Sequence, residues 1–242
     1  MITSAGNPRL KLVRKLASRR QREKLGLFAC EGEDLVLAGL DAGLAPAEAL
    51  VDAERPALVD RLPGAVEVEP RLIADLSELA HSPRVISLFR LADLPRLDPT
   101  SAPPLGLALW RVSDPGNVGT LVRAADAFGP AFVCLSAGCA DPIGPKALRA
   151  SAGAIFRVPL GRFEDAPGVR IALVPRGGRP LPELELPERA TFVLGAEREG
   201  VPDDVLEGSV EAATIPQTAG AESLNVAVSG AIALYEWRRR KG

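Results

Sequence analysis

The sequence predicts an α/β protein with a mainly parallel sheet in its C-terminal part and a small α/β unit in front of it. Three observations lead to this fold class. Strand-like and helix-like runs alternate after residue 105, shorter runs alternate over residues 1–92, and a proline-rich stretch separates the two regions. We therefore divide the chain into a first domain over residues 1–92, a linker over 93–104 and a second domain over 105–242.

The predicted first domain opens with a basic helix and continues as short alternating elements. Over residues 8–24, Leu10, Val13 and Leu16 recur at helical spacing among basic residues. Prolines in the linker stiffen the chain and remove backbone donors. The other predicted elements are strands at 27–30, 49–51, 66–68 and 85–89 and helices at 33–42 and 71–79.

The predicted second domain alternates strands with helices, a pattern typical of a parallel sheet with helices on its faces. Its last helix is long and begins with an apolar run. The predicted strands lie at 105–110, 131–135, 170–174, 191–194 and 213–215, and the predicted helices at 118–128, 146–151, 203–206 and 224–240.

Composition excludes several classes of protein. The 242 residues are 47% hydrophobic and 25% charged, a balance typical of a folded globular chain. No apolar run is long enough and free enough of charge to span a bilayer, and no signal-like apolar run follows the basic N-terminus. Cys30, Cys134 and Cys139 form no CxxC pair, and His81 is the single histidine. We expect a cytoplasmic protein without a metal site.

The charge distribution points to a nucleic-acid partner even though the net charge is −2. Residues 1–24 carry eight basic residues and one acidic residue. Such a local basic segment matters more for binding phosphate than the total charge does. The alternative is a solvated helix face without a partner.

The first candidate site is the segment DPGNVGTLVRAADAFG, residues 114–129. Pro115 and Gly116 form a turn after a strand, and Asn117 and Gly119 lead into a helix whose free amides favour anions. Arg123 lies one turn beyond Gly119 and can point towards the same opening. The alternative is a capped helix with a surface arginine.

The second candidate site is FVLGAEREGVP, residues 192–202. An apolar strand runs into Gly195, and Glu197 and Gly200 follow. Glycines allow a backbone to approach a ligand closely, and ligands of open parallel sheets bind at the carboxyl ends of strands. The alternative is a simple β-to-α loop.

The third candidate site is IPQTAGAESLNVAVSGAIALYEW, residues 215–237. We expect Ser223 to cap the long helix that follows. Asn225 is then a polar amide inside an apolar helix and needs a partner. The alternative, an ordinary C-terminal core helix, leaves Asn225 unexplained.

Together these segments resemble a known family. NVGTLVRAADAFG, LGAEREG and IPQTAGAESLNVAV, in this order and at this spacing, resemble the three motifs of the SpoU (TrmH-type) RNA 2′-O-methyltransferases. KALRASAGAIFRVP, residues 146–159, resembles the segment between their first two motifs. The segment from ITSAGNPRLKLVRKL to EGEDLVLAGL resembles their substrate-binding extension. The resemblance covers nearly the whole chain.

The resemblance implies a fold, an oligomeric state and a cofactor. It implies a SPOUT-like domain with a deep trefoil knot near its C-terminus, preceded by a small L30e-like α/β domain that binds RNA. It implies a homodimer with the active site at the dimer interface. It also implies that S-adenosylmethionine is the cofactor. By motif match, the expected cofactor-binding residues are Leu194, Gly195, Gly200, Ile215, Pro216, Leu224 and Asn225.

The resemblance also implies a reaction, the methylation of a ribose 2′-hydroxyl, with a ribosomal RNA substrate because of the extension. The motif match makes Arg123 the residue at the hydroxyl. Asn117, Asn225 and Ser223 then position substrate or loops, and Glu197 orders the second loop and pairs with Arg123. The expected RNA-binding residues are Arg9, Lys11, Arg19, Arg20, Arg22 and Arg149.

The departures from the family pattern are mild. Gln217 stands where relatives often carry methionine, and Ser229 and Gly230 replace alanines. Residues 79–89 also depart, and we expect His81, within them, to be structural or exposed. The alternatives to a ribosomal RNA enzyme are a transfer RNA 2′-O-methyltransferase and a non-catalytic RNA-binding protein on the same scaffold. A Rossmann-type enzyme is disfavoured because no GxGxxG follows an early strand.

Overall fold

The computed structural model describes residues 1–77, 81–218, 220 and 223–241. A four-stranded sheet of order β1-β4-β2-β3 forms the first domain. In it β2 and β3 are parallel, and β4 runs antiparallel to β1 and β2. Its strands are β1 Leu27–Glu31, β2 Glu48–Asp52, β3 Val66–Val68 and β4 Val85–Arg90, and its helices are α1 Pro8–Lys15, α2 Arg19–Leu25, α3 Glu33–Asp41 and α4 Pro70–Ala74.

The basic N-terminal segment forms two helices, so the prediction of one helix over 8–24 is wrong. Asn7 caps α1 by accepting a hydrogen bond from the Arg9 amide, and α1 ends at Lys15. The chain turns at Leu16, whose side chain is buried, and Ser18 adopts an extended conformation before α2. Leu10, Val13 and Leu16 pack against the first sheet, and the chain leaves this contact at the turn before α2.

A seven-stranded sheet of order β7-β6-β5-β10-β8-β11-β9 forms the second domain. Every strand pairing in it is parallel, which confirms the predicted fold class. Its strands are β5 Leu105–Leu109, β6 Ala131–Leu135, β7 Leu160–Arg162, β8 Val169–Leu173, β9 Arg179–Pro180, β10 Ala190–Leu194 and β11 Glu211–Thr214, and its helices are α5 Pro115–Ala127, α6 Pro145–Ser151, α7 Asp203–Glu207 and α8 Val226–Lys241.

Two of these strands were not predicted. The strand β7 has three residues and β9 has two, too few to show the two-residue periodicity on which a strand prediction rests. Each lies at one end of the sheet, where it pairs with a single neighbouring strand. The sheet context, rather than local sequence preference, therefore makes these segments extended.

The linker and an aromatic cluster join the two domains. The Leu97 amide donates to the Leu160 carbonyl, and the Leu160 amide donates to the Pro95 carbonyl, so the linker lies along the edge of β7. Phe28 and Phe89 of the first domain contact Phe156 of the second, with ring centroids 6.3 and 5.5 Å from it. One buried core therefore runs through both domains.

Three predictions about the whole chain can be compared with this architecture. No helix in the described part of the chain is long and apolar enough to cross a membrane. The trefoil knot is consistent with the strand order and stays a prediction. The described residues also contain no group of three or more His, Cys, Asp or Glu side chains that could hold a metal ion.

Candidate active site

Three loops meet at the carboxyl edge of the parallel sheet. The first follows β5 and enters α5, the second follows β10, and the third follows β11 and enters α8. Because β5 and β10 are neighbours and all strands are parallel, their loops leave the same edge side by side. The sheet thus brings together the three motifs that the sequence separates by tens of residues.

Side-chain hydrogen bonds connect the three loops. The Asn117 amide nitrogen Nδ2 donates to Glu197 Oε1 at 3.1 Å. The Asn225 amide nitrogen Nδ2 donates in turn to Asn117 Oδ1 at 3.1 Å. The Asp114 backbone amide lies 3.4 Å from Glu197 Oε1. Asn117 therefore uses both ends of its side-chain amide to hold the second and third loops against the start of α5.

Helix α5 starts earlier than predicted because Asp114 caps it. The Asp114 carboxylate accepts from the Asn117 backbone amide at 2.9 Å, and Pro115 occupies the first helical position, where its missing N–H costs no hydrogen bond. Lys146 Nζ donates to the other Asp114 oxygen at 2.9 Å. These hydrogen bonds hold the pKa of Asp114 below its ordinary value, and the bond from Lys146 has the largest effect.

Asn225, rather than Ser223, caps the long helix. Asn225 Oδ1 accepts from the backbone amides of Ala227 and Val228 at 2.8 and 3.2 Å, and α8 begins at Val226. The predicted Ser223 cap is therefore wrong. Asn225 therefore precedes α8 and is exposed, so the expectation that it lies inside the helix is also wrong. It provides one atom as the helix cap and another as the donor to Asn117.

Arg123 lies on α5 beyond this network. Its side chain is exposed, and in the described part of the chain it makes no ion pair. The prediction that Glu197 pairs with Arg123 is wrong, because Glu197 accepts from Asn117 instead. Within the described residues, Arg123 therefore has no carboxylate partner that a ligand would have to displace.

A cavity of about 630 Å³ opens between the second loop, the third loop and the end of β8. This volume lies within the range of small-molecule sites, ~300–1,000 Å³. Pro216 is exposed and is not among the residues that line the cavity. Of the predicted cofactor-binding residues, those that line it are Leu194, Gly195, Gly200, Ile215, Leu224 and Asn225, and the predicted Glu197 and Ser223 line it as well.

The sequence did not indicate one wall of this cavity. Leu173, Val174 and Pro175 come from the carboxyl end of β8, and Gln217 and Ser229 are also among the lining residues. The position of β8 between β10 and β11 would have pointed to this wall, but strand order is not readable from the sequence. Gln217 Oε1 is buried and has no hydrogen-bond partner among the described residues.

These residues fit S-adenosylmethionine. The apolar part of the wall suits an adenine ring, and the Gln217 oxygen, which has no partner within the described residues, can accept a hydrogen bond from an amino or hydroxyl group. Burial without a partner is costly for such an oxygen, so a bound donor would relieve it.

The second loop is closed tightly at its two glycines. Ala196 and Gly200 exchange two backbone hydrogen bonds, of 3.1 and 2.9 Å. A Cβ atom on Gly195 would lie 2.0 Å from the carbonyl carbon of Gly200. Gly200 has φ of +71°, which favours glycine. The loop shape on the cavity side thus requires glycine at both positions.

The predicted RNA-binding residues divide into two groups. Arg9, Lys11, Arg19 and Arg20 are exposed on α1 and α2, and Arg149 is exposed on α6. Arg22 instead is buried, with 5% of its side chain exposed, and it pairs with Asp141. The prediction that Arg22 contacts RNA is therefore wrong, because its guanidinium already binds acceptors inside the protein.

His81 is exposed, which is one of the two alternatives that we expected for it. Of residues 79–89, which depart from the family pattern, residues 79–80 lie outside the described residues. Residues 85–89 of the same segment form most of β4, so this part is a strand of the first sheet.

The pKa of Glu197 makes the loop network sensitive to acid. Partial burial raises this pKa, but hydrogen bonds from Asn117 and from backbone amides outweigh it, and the pKa lies below its ordinary value of 4.5. A carboxyl group with a lowered folded-state pKa stabilises the fold above its unfolded pKa. That contribution is lost as the pH falls through the folded value.

We expect Glu197→Gln to lower Tm by about 1–2 °C at pH 7, a small effect because water screens the carboxylate. The difference from wild type should shrink below about pH 4.5, the ordinary pKa of the group, and vanish as the pH falls through the lower folded-state pKa and the wild-type carboxyl group becomes neutral. Thermal unfolding from pH 7 to pH 3 measures it. A difference that stays constant down to pH 3 would contradict the assigned hydrogen bonds.

Comparison with known proteins identifies the class of protein. Residues 104–235 match the model of the SpoU rRNA Methylase family, and residues 7–86 match that of the MRM3-like substrate binding domain. The chain belongs to the SpoU family, and it is an S-adenosylmethionine-dependent RNA methyltransferase that modifies a ribose 2′-hydroxyl. The resemblance predicted from the motifs, with its reaction and its cofactor, is confirmed.

The similarity to individual relatives extends over nearly the whole chain. An uncharacterized tRNA/rRNA methyltransferase of Synechocystis is 32% identical over 99% of this chain and 94% of its own length. The 23S rRNA (guanosine(2553)-2′-O)-methyltransferase RlmP of Bacillus subtilis is 31% identical over 98% of each chain. The AdoMet-bound rRNA methyltransferase of Sinorhizobium meliloti matches with a TM-score of 0.86 and 28% identity, over 99% of this chain and 97% of its own.

Proposed function

We propose that this chain methylates a ribose 2′-hydroxyl of ribosomal RNA, at a site formed by its three loops and with Arg123 at the hydroxyl. One observation carries the proposal. The hydrogen-bond network ties Glu197 and Asn225, which line a cavity of cofactor size, to Asn117 in the first turn of α5. Arg123, which makes no ion pair within the described residues, lies further along the same helix.

The cavity residues hold the cofactor and exclude water from it. Leu194, Ile215 and Leu224 provide apolar contact, and Gln217 provides a hydrogen-bond acceptor. S-adenosylmethionine supplies the electrophilic methyl group when it is bound. The contribution of the protein is then to hold the ribose oxygen in line with that group, an arrangement that can supply up to about 7–11 kcal/mol.

Arg123 orients the substrate rather than accepting its proton. A guanidinium group stays protonated in proteins, so it is a poor base. Its planar fork binds a phosphate through two parallel hydrogen bonds, which fixes the adjacent ribose. Asn117 and Asn225 hold the loops on either side, and Ser223, exposed at the cavity rim, contacts the substrate or cofactor.

The exposed basic residues of α1, α2 and α6 bind the RNA backbone. Lys11, Arg20 and Arg149 are exposed and make no ion pair within the described residues, so phosphates can take the place of their solvent. Arg9 and Arg19 pair weakly with Glu48 and Glu23, and phosphate can replace those surface partners. The affinity for RNA should therefore fall steeply as the salt concentration rises.

The homodimer is also part of this proposal. Val228 and Tyr235 of α8 are 47% and 51% exposed. They lie about two turns apart on one face of the helix, with Ile232 between them. Phe128, at the end of α5, contacts the Tyr235 ring at a centroid distance of 5.7 Å. A second copy of the chain would cover this apolar face beside the active site. We further propose that the dimer works in the cytoplasm.

The RNA class is tested by offering the purified chain ribosomal RNA and transfer RNA with methyl-labelled S-adenosylmethionine. We expect labelled ribosomal RNA at a rate at least tenfold higher than that for transfer RNA. The opposite preference would favour the transfer RNA alternative. Cofactor binding without label in either RNA would favour the RNA-binding scaffold.

A further inference from the structure

Arg22 is an internal arginine at the junction between the two domains. Its Nη1 donates to the carbonyl oxygens of Leu16 and Ala17 at 2.6 and 2.8 Å. Its Nη2 donates to Asp141 Oδ2 at 2.5 Å. One guanidinium thus connects the turn between α1 and α2 with a carboxylate of the second domain.

The Asp141 carboxylate belongs to the turn from which α6 starts. Its Oδ1 accepts from the Ile143 amide at 3.0 Å, and its carbonyl accepts from the Gly144 amide at 3.0 Å. Helix α6 begins at the next residue, Pro145. The position of Arg22 therefore bears directly on the start of α6.

Helix α6 is in turn fixed to the catalytic helix α5. A Cβ on Gly119 of α5 would lie 2.3 Å from the Ala147 carbonyl oxygen, so the two backbones touch. Lys146, in the first turn of α6, binds Asp114, the cap of α5. A continuous set of contacts thus leads from the basic helices through Arg22 to the helix that carries Arg123.

Stability alone accounts poorly for this arginine. Burying an ion pair costs much of what the attraction returns, and Arg22 Nε has no hydrogen-bond partner among the described residues. A planar guanidinium fixes the directions of its hydrogen bonds, because its N–H donors lie in one rigid plane. The geometry suits the orientation of one domain against the other.

We propose that Arg22 is a positioning residue for the methyl transfer. Through Asp141 it sets the angle between the basic helices α1 and α2 and helix α5, so that RNA held by the first domain presents its ribose to Arg123. The inference rests on RNA binding by the basic face proposed above. Without Arg22 the RNA still binds to the first domain, but its ribose is no longer positioned at Arg123.

Steady-state kinetics of Arg22→Met, on the RNA that the wild-type chain methylates, test this role. We expect kcat to fall at least tenfold, with the KM for RNA and the Kd for S-adenosylmethionine within twofold of wild type. Asp141→Asn should have the same effect, and the double variant should be no worse than either single one. Arg20→Met, an exposed residue of the same helix, should instead raise the KM.

Two results would overturn the proposal. A lower Tm with unchanged kcat would make Arg22 merely structural. A raised KM like that of Arg20→Met would make it an RNA contact. Should Arg22→Met not fold, Arg22→Lys keeps the charge but not the fork, and the same selective fall in kcat, at least threefold, is expected. Wild-type kcat in Arg22→Lys would then contradict the positioning role.

A distance measurement tests, independently of any substrate, whether the Arg22–Asp141 contact orients the two domains. Spin labels at Lys24→Cys and Glu164→Cys, diluted with unlabelled protein, report the separation of the two domains within one chain. We expect Arg22→Met to shift or broaden the distance distribution, whereas Arg61→Met, at a surface ion pair of the first domain, leaves it unchanged. An unchanged distribution in Arg22→Met would contradict the proposal even if the ribosomal substrate proved wrong.

Discussion

Replacing Arg123 with alanine should lower kcat by about 100-fold or more, the typical cost of losing one preorganised charged donor at a reacting centre. The Kd for S-adenosylmethionine should stay within twofold of wild type, because Arg123 is not among the residues that line the cavity. Single-turnover methylation of RNA and calorimetric titration with the cofactor measure the two quantities separately.

The lysine variant at the same position sharpens this prediction. Arg123→Lys keeps the positive charge but removes the planar fork, so we expect most of the loss to remain. Arg162→Ala is the matched control, since Arg162 is an exposed arginine of the short strand β7. Full activity in Arg123→Lys would rule out a bidentate grip on the phosphate.

Adding a single methyl group at Gly195 should weaken the binding of S-adenosylmethionine at least tenfold. In Gly195→Ala the new Cβ would lie 2.0 Å from the Gly200 carbonyl carbon. No flexible side chain can move aside there, because the obstacle is backbone. The loop must open, and the cavity wall that Leu194 and Gly200 form then moves.

The matched control for Gly195→Ala is Gly208→Ala. Gly208 follows α7 with φ of −78°, and the nearest atom to its added Cβ is 3.5 Å away. Calorimetric titration should show wild-type affinity for this variant. Equal affinities in the two variants would mean that the cofactor does not use the second loop.

Much of the second domain could be predicted because its central strands are buried on both faces. Such strands are near-continuous apolar runs, and β5 and β10 are each buried along their whole length. The strand order could not be predicted, since it depends on contacts between distant segments. For that reason the sequence missed the cavity wall that β8 contributes.

The site residues were identified as a set, but several of their interactions were not. Spacing placed Asn117, Glu197 and Asn225 in three loops. It could not show that Asn117 takes the bond expected of Arg123, or that Asn225 caps α8. Arg22 is the clearest case. Among eight basic residues near the N-terminus, nothing local marks the one that turns inward, because its partner Asp141 lies 119 residues further along the chain.

The most direct test of the central claim is to locate the transferred methyl group. The purified chain is incubated with ribosomal RNA and methyl-labelled S-adenosylmethionine, and the product is hydrolysed with alkali. We predict label in alkali-resistant dinucleotides, because a 2′-O-methyl group blocks cleavage at that ribose, and loss of this label with Arg123→Ala. Label recovered on a base in mononucleotides, or label that persists in Arg123→Ala, would contradict methylation of a ribose by this site.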